Sequence, residues 1–195
     1  MKELKRGLKA FLLALAAYLI QVCVMKHLSL SGVSGSVLFA VLSVLTISYG
    51  KKYAFCASCI IGMLMESMLA NVPAMYVIAY PVITMLCAQK FADMTDRQRE
   101  RRRMLAQGRR KMREGDLPAH LRILLCACLM DLILNIAYCI YFYLIGVDIS
   151  LYHAGRIIGN VLYTGAITLI LMVPLRIFLG MYPRRKKRDQ GGELL

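Results

Sequence analysis

Tryptophan is absent from this 195-residue sequence, and acidic side chains are scarce: 11 Asp and Glu stand against 25 Lys and Arg, a formal net charge of +14. Yet 59% of the residues are hydrophobic, more than the roughly half expected of a soluble globular domain. Strong basicity and strong hydrophobicity can coexist only if they are segregated along the chain. They are, because long runs nearly free of charge alternate with basic connections. This pattern excludes an ordinary soluble domain and suits a bilayer core of about 30 Å crossed at about 1.5 Å per residue. Without tryptophan, interfacial anchoring falls to tyrosines, and Tyr49, Tyr53, Tyr76, Tyr152 and Tyr182 all stand near run ends.

Other absences narrow the function. No connecting segment contains a cysteine; Cys23, Cys56, Cys59, Cys87, Cys126, Cys128 and Cys139 lie in apolar runs and read as small buried hydrophobes. Cys56-Ala57-Ser58-Cys59 has redox or metal spacing, but no histidine is near it in sequence, so neither a metal nor a cofactor is expected. No HExxH, GxSxG or other nucleophile pattern occurs, and His27, His120 and His153 sit at run edges, which argues against an enzyme. The first apolar run follows Lys2, Lys5, Arg6 and Lys9 as a signal-peptide core would. It ends in Met25-Lys26-His27 with no small-x-small cleavage site, and a second apolar run follows almost at once, so it reads as a first membrane helix.

The expected fold class is therefore all-α: one integral membrane domain over 1–195, a polytopic bundle of about six transmembrane helices at 10–25, 30–49, 53–70, 74–91, 121–146 and 157–181. The connections His27-Leu28-Ser29, Gly50-Lys51-Lys52 and Asn71-Val72-Pro73 are too short to cross a bundle, so the first four helices should run up, down, up and down. On this reading 20 basic residues fall on the side of the termini and 2, Lys26 and Arg156, on the other. The positive-inside rule then places both termini, the basic loop 92–120 and the basic tail 182–195 in the cytoplasm of a multi-pass cell-membrane protein. Within the loop, Thr95-Asp96-Arg97-Gln98 resembles a capping box and good helix formers follow to Arg113. Such a helix could lie on anionic lipid, or the loop could be a solvated determinant of topology. With no aromatic residue to stack on bases, it is not expected to bind nucleic acid.

The side chains that lipid should reject are Gln21, Glu66, Asp131, Asn135 and Asn160. A charge at mid-bilayer costs roughly 2.5–3.5 kcal/mol on insertion scales, so Glu66 and Asp131 should face protein or water. Asp131 and Asn135 are four apart and share a helix face. One reading makes Glu66 and Asp131 a proton or cation site; the other makes them hydrogen-bonded links between helices. Small residues are a second signal: Gly32, Gly35 and Ser36 open the second run, and Gly155-x-x-x-Gly159 would permit close contact with another helix, within the chain or beyond it.

Gly62-Met63-Leu64-Met65-Glu66, the short turn with Pro73, and Tyr80-Pro81 in the next run together resemble the rod shape-determining protein MreD family. So does the closing stretch from Asn160 through Pro174-Leu175-Arg176-Ile177-Phe178. Glu66 stands where that family usually has an aspartate. The resemblance implies a non-enzymatic bacterial inner-membrane component of the cell-elongation machinery that builds peptidoglycan, working with MreC-like and other elongation-complex membrane proteins. It also implies a fold like the substrate-binding subunits of energy-coupling vitamin transporters. The alternative function is a small-solute or vitamin transporter membrane subunit, which an internal cavity lined by polar side chains would favour. Glu66, Asp131, Asn135 and Asn160 are the candidate partner or intramembrane polar residues, and Gly62, Gly155 and Gly159 the candidate helix-packing residues.

Overall fold

The computed structural model describes residues 2–25, 27–28, 33–68, 75–91, 118–146 and 151–179. Among these it contains α1 (Lys2–Ile20, continued by a π-helical turn Gln21–Met25), α2 (Val37–Ser48), α3 (Lys51–Met68), α4 (Met75–Phe91), α5 (Ala119–Leu144) and α6 (Leu151–Phe178). The fold is all-helical. In lipid, backbone amides and carbonyls must bond within the protein, and each apolar run does so by coiling. Three helices, Arg6–Met25, Ala119–Leu144 and His153–Phe178, are long and apolar enough to cross a membrane, which makes this a membrane protein. Large hydrophobic side chains such as Leu12, Ile78, Leu125, Leu162 and Ile170 face outward, as suits a protein whose solvent is hydrocarbon.

The shortest of these helices is the centre of the bundle. Every residue of α2 from Val37 to Ile47 is buried, and α1, α3, α4, α5 and α6 all pack on it, following one another around it in that order. α2 starts at Val37, seven residues later than expected from the apolar run. Ser36 stops it there: its backbone is extended (φ −107°, ψ 105°), and its hydroxyl accepts from the Phe39 N–H as an N-cap. Other boundaries also move. α1 begins at Lys2, well before the apolar run, because Glu3, Leu4 and Arg6 are good helix formers, and α6 begins at Leu151 rather than 157. The expected helix in the basic loop, and the tail 182–195, lie outside the described residues.

Basic side chains gather at one end of the bundle, where they meet helix C-termini. Arg122 donates to the Phe91 carbonyl at the end of α4 (2.6 Å). Lys9 reaches the Phe178 carbonyl at the end of α6 (3.5 Å) and lies 5.7 Å from that residue's ring centroid. Arg176 sits 3.1 Å from the His120 ring at the start of α5. Cations at C-termini complement the unpaired carbonyls and the helix dipole. At the same end, Tyr53 on α3 donates to Glu3 on α1 (2.7 Å).

At the opposite end, α3 and α4 come together at Gly62. A Cβ there would stand 2.9 Å from the Tyr76 carbonyl oxygen and 3.2 Å from the Val77 Cα, both backbone atoms that cannot rotate away. Gly62→Ala should therefore destabilise the solubilised protein by about 1–3 kcal/mol, as overpacking does. Gly155→Ala, whose Cβ would meet nothing within 4 Å, should leave thermal unfolding unchanged or slightly raised. Equal unfolding midpoints for the two variants would contradict the close approach.

A polar cavity beside an unwound segment

Between α1 and α2 the chain leaves the helix while still beside the bundle core, so the backbone of 34–37 needs partners from elsewhere. Side chains supply them. Ser34 N–H donates to Asn160 Oδ1 (3.0 Å) and Ser36 N–H to Thr164 Oγ1 (2.9 Å), both on α6. Val37 N–H donates to Gln21 Oε1 (2.8 Å), and Gln21 Nε2 returns a bond to the Gly35 carbonyl (3.3 Å). Gly35 is needed for this fit, because a Cβ there would collide with Ile167 and stand 2.8 Å from Tyr163 Cδ1. Tyr163 adds a hydrogen bond from its hydroxyl to the Leu28 carbonyl (3.2 Å).

The hydrogen bonds continue into α5. Asn160 Nδ2 donates to Asn135 Oδ1 (3.1 Å), and Asn135 Nδ2 donates to the Asp131 backbone carbonyl one turn earlier (2.8 Å). Thr164, which accepts from Ser36, lies beside the Asp131 carboxyl group. Asp131 itself is 4% exposed, and its Oδ2 has no partner among the described residues. Gln21, Asp131, Asn135 and Asn160 line a cavity of about 150 Å³ together with Phe39, Tyr76, Tyr80 and Tyr138. Phe39 and Tyr80 stack with ring centroids 5.1 Å apart; Tyr76 is 6.1 Å from Tyr80 and 5.9 Å from Tyr138, giving a continuous aromatic group. Among the described residues, no Lys, Arg or His lines the space.

The structure thus brings Asp131, Asn135 and Asn160 together with Gln21, as one polar system. Glu66 lies elsewhere. Its Oε2 accepts from the Tyr76 N–H (3.0 Å), satisfying one of the unpaired donors in the first turn of α4 and placing a carboxylate at that helix's positive end. Gly62 packs one turn before it on the same helix. Gly159 accommodates a side chain rather than a helix backbone, since a Cβ would stand 3.0 Å from Val33 Cγ2, and a Cβ at Gly155 would meet nothing within 4 Å among the described residues. The seven cysteines are free thiols, and no group of three or more His, Cys, Asp or Glu able to hold a metal occurs among the described residues.

Sequence reasoning missed Thr164 and the aromatic wall. Thr164 was open to discovery, because Asn160, Thr164 and Thr168 recur every four residues and so share one face of α6. Tyr76 and Tyr138 carry no such signal: as run-end and mid-run tyrosines they look like interfacial anchors or core. No family model matches the chain, and neither the curated proteins nor the solved structures contain a significant match to it.

Two substitutions separate the roles of these polar groups. Asn160→Leu strips the exposed Ser34 N–H and the part-buried Asn135 Oδ1 of partners and should cost about 1–3 kcal/mol in all, seen as a lowered unfolding midpoint in detergent. Glu66→Ala should cost about 1 kcal/mol, as loss of a helix cap does. Glu66→Gln, which keeps an acceptor, should cost less. Wild-type stability in Asn160→Leu would contradict the pinning of the segment.

Proposed function

We propose that this chain is a non-enzymatic component of the bacterial cell-elongation complex, of the MreD kind, which docks MreC-like and other membrane proteins on its helices. It crosses the membrane six times, with both termini and the loop 92–120 in the cytoplasm and that loop against anionic lipid. The observation that carries this reading is the α3–α4 corner. Gly62, Glu66 and the Tyr76–Tyr80 turn of α4, in and around the stretch on which the MreD resemblance rests, form one packing and capping device. A motif that fixes a helix pair, rather than one that positions a reacting atom, is what a docking protein requires.

Two further features support the topology. The gathering of Lys9, Arg122 and Arg176 at one end agrees with a cytoplasmic face under the positive-inside rule. The twelve residues of α2 cover only about 18 Å. The preceding non-helical residues 33–36 add up to about 3.3 Å each, enough to bring the crossing near the roughly 30 Å of a bilayer core. The cavity favours a second reading, a solute-binding transporter subunit, because a space with an unpartnered carboxylate oxygen is what such a protein would need.

Affinity purification from solubilised membranes distinguishes the two. MreC-like and other elongation proteins should co-purify, and depletion should round rod-shaped cells. Co-purification of an ATPase module with saturable binding of a small vitamin would replace the first reading by the second. For the topology, single cysteines in a cysteine-free background should react with an impermeant reagent outside intact cells at position 28 and not at position 107. The reverse pattern would overturn it.

A further inference from the structure

The docking reading leaves the cavity beside 34–36 without a use. We propose that it binds a small organic ammonium ion, of about the size of choline, against Asp131 and the aromatic wall.

Three observations converge. First, among the described residues two lining groups keep a buried polar atom without a hydrogen-bond partner, the Asp131 carboxyl and the Tyr138 hydroxyl, and only the carboxyl can carry a charge that complements a cation. Gln21, Asn135 and Asn160 spend their amides on the backbone of 34–37, on the Asp131 carbonyl and on one another, whereas Asp131, 96% buried, keeps an Oδ2 with no partner among the described residues. No cationic side chain among those residues lines the space to balance it, and a buried carboxylate recovers its lost hydration only from a counter-charge or a proton. Second, Phe39, Tyr80, Tyr76 and Tyr138 form a contiguous group of rings along the wall. Ring faces attract ammonium groups and do so most strongly where water is excluded. Third, the volume is about 150 Å³, the size of cavity that holds a benzene-sized guest of about six heavy atoms.

The same geometry disfavours a bare metal ion. Hard cations take about six oxygen ligands, and no group of three or more His, Cys, Asp or Glu able to hold a metal occurs among the described residues, Asp131 being the one carboxylate that lines the space. An organic ammonium needs one anion and an aromatic surround, which is what the cavity offers. This inference does not rest on the docking reading: failure to co-purify elongation proteins would leave it standing, and loss of ammonium binding would leave docking standing.

The test is isothermal titration of the full chain in lipid nanodiscs with choline, with tetramethylammonium, and with 3,3-dimethylbutan-1-ol, the uncharged carbon isostere of choline. Choline should bind saturably at one site per chain, and the isostere more weakly by roughly tenfold or more. Asp131→Asn should weaken choline by roughly tenfold while leaving the isostere unchanged. Tyr138→Leu should weaken both ammonium ions several-fold. If Asp131→Asn does not fold, the choline-to-isostere ratio on the wild type and the Tyr138→Leu titration decide the matter. The proposal is overturned if the isostere binds as tightly as choline, if neither ammonium ion binds saturably, or if sodium displaces choline stoichiometrically, which would make this an inorganic-cation site.

Discussion

A chain that stops being helical beside a packed core leaves backbone amides that must find partners within the protein, and the rest of this structure is organised around that need at residues 34–37. An unsatisfied buried amide costs several kcal/mol in a medium that cannot hydrogen-bond. Three N–H groups and one carbonyl are met by Gln21 from the end of α1 and by Asn160 and Thr164 from α6. These bonds do more than cancel a penalty. They fix where α2 begins, and α2 is the helix on which the other five pack.

Most of the polar side chains inside the bundle are thereby accounted for as structure. Asn135 relays the bonding from Asn160 to α5, and Glu66 closes the first turn of α4. Of the two acids in apolar runs, Glu66 accepts a hydrogen bond that links α3 to α4, whereas Asp131 keeps one oxygen without a partner among the described residues beside a cavity. The two acids look alike in sequence, each alone in an apolar run, and differ only in what faces them. Docking on the outer helix surfaces and ligand binding in the interior use different parts of the molecule, so one does not exclude the other.

The helices themselves were legible, because apolar runs bounded by basic or turn residues leave the backbone little choice in lipid. α4 and α5 begin and end within two residues of the expected limits. The polar system was legible as a set of residues, since Gln21, Asp131, Asn135 and Asn160 stand out wherever lipid is the solvent. What they bind was not, because Gln21 and Asn160 pair with backbone groups of 34–37, which any residue type supplies. The late start of α2 was only half visible: Gly32, Gly35 and Ser36 were recognised as small residues, but an apolar run does not reveal that its first turn is capped rather than continued. Gly155 and Gly159 differ from Gly62 for a related reason. A small-xxx-small spacing marks where a close neighbour is sterically allowed, and among the described residues the neighbour of Gly159 is the Val33 side chain, with none within 4 Å of a Cβ at Gly155.

The pinning of the unwound segment by side chains is therefore the point on which the account turns, and residue-resolved hydrogen exchange of the protein in lipid nanodiscs reads it directly. The Ser36 and Val37 amides, each bonded to a side chain from another helix, should exchange as slowly as the amides inside α2. Exchange of Ser36 and Val37 at the rate of an unprotected chain, with α2 itself still protected, would contradict it.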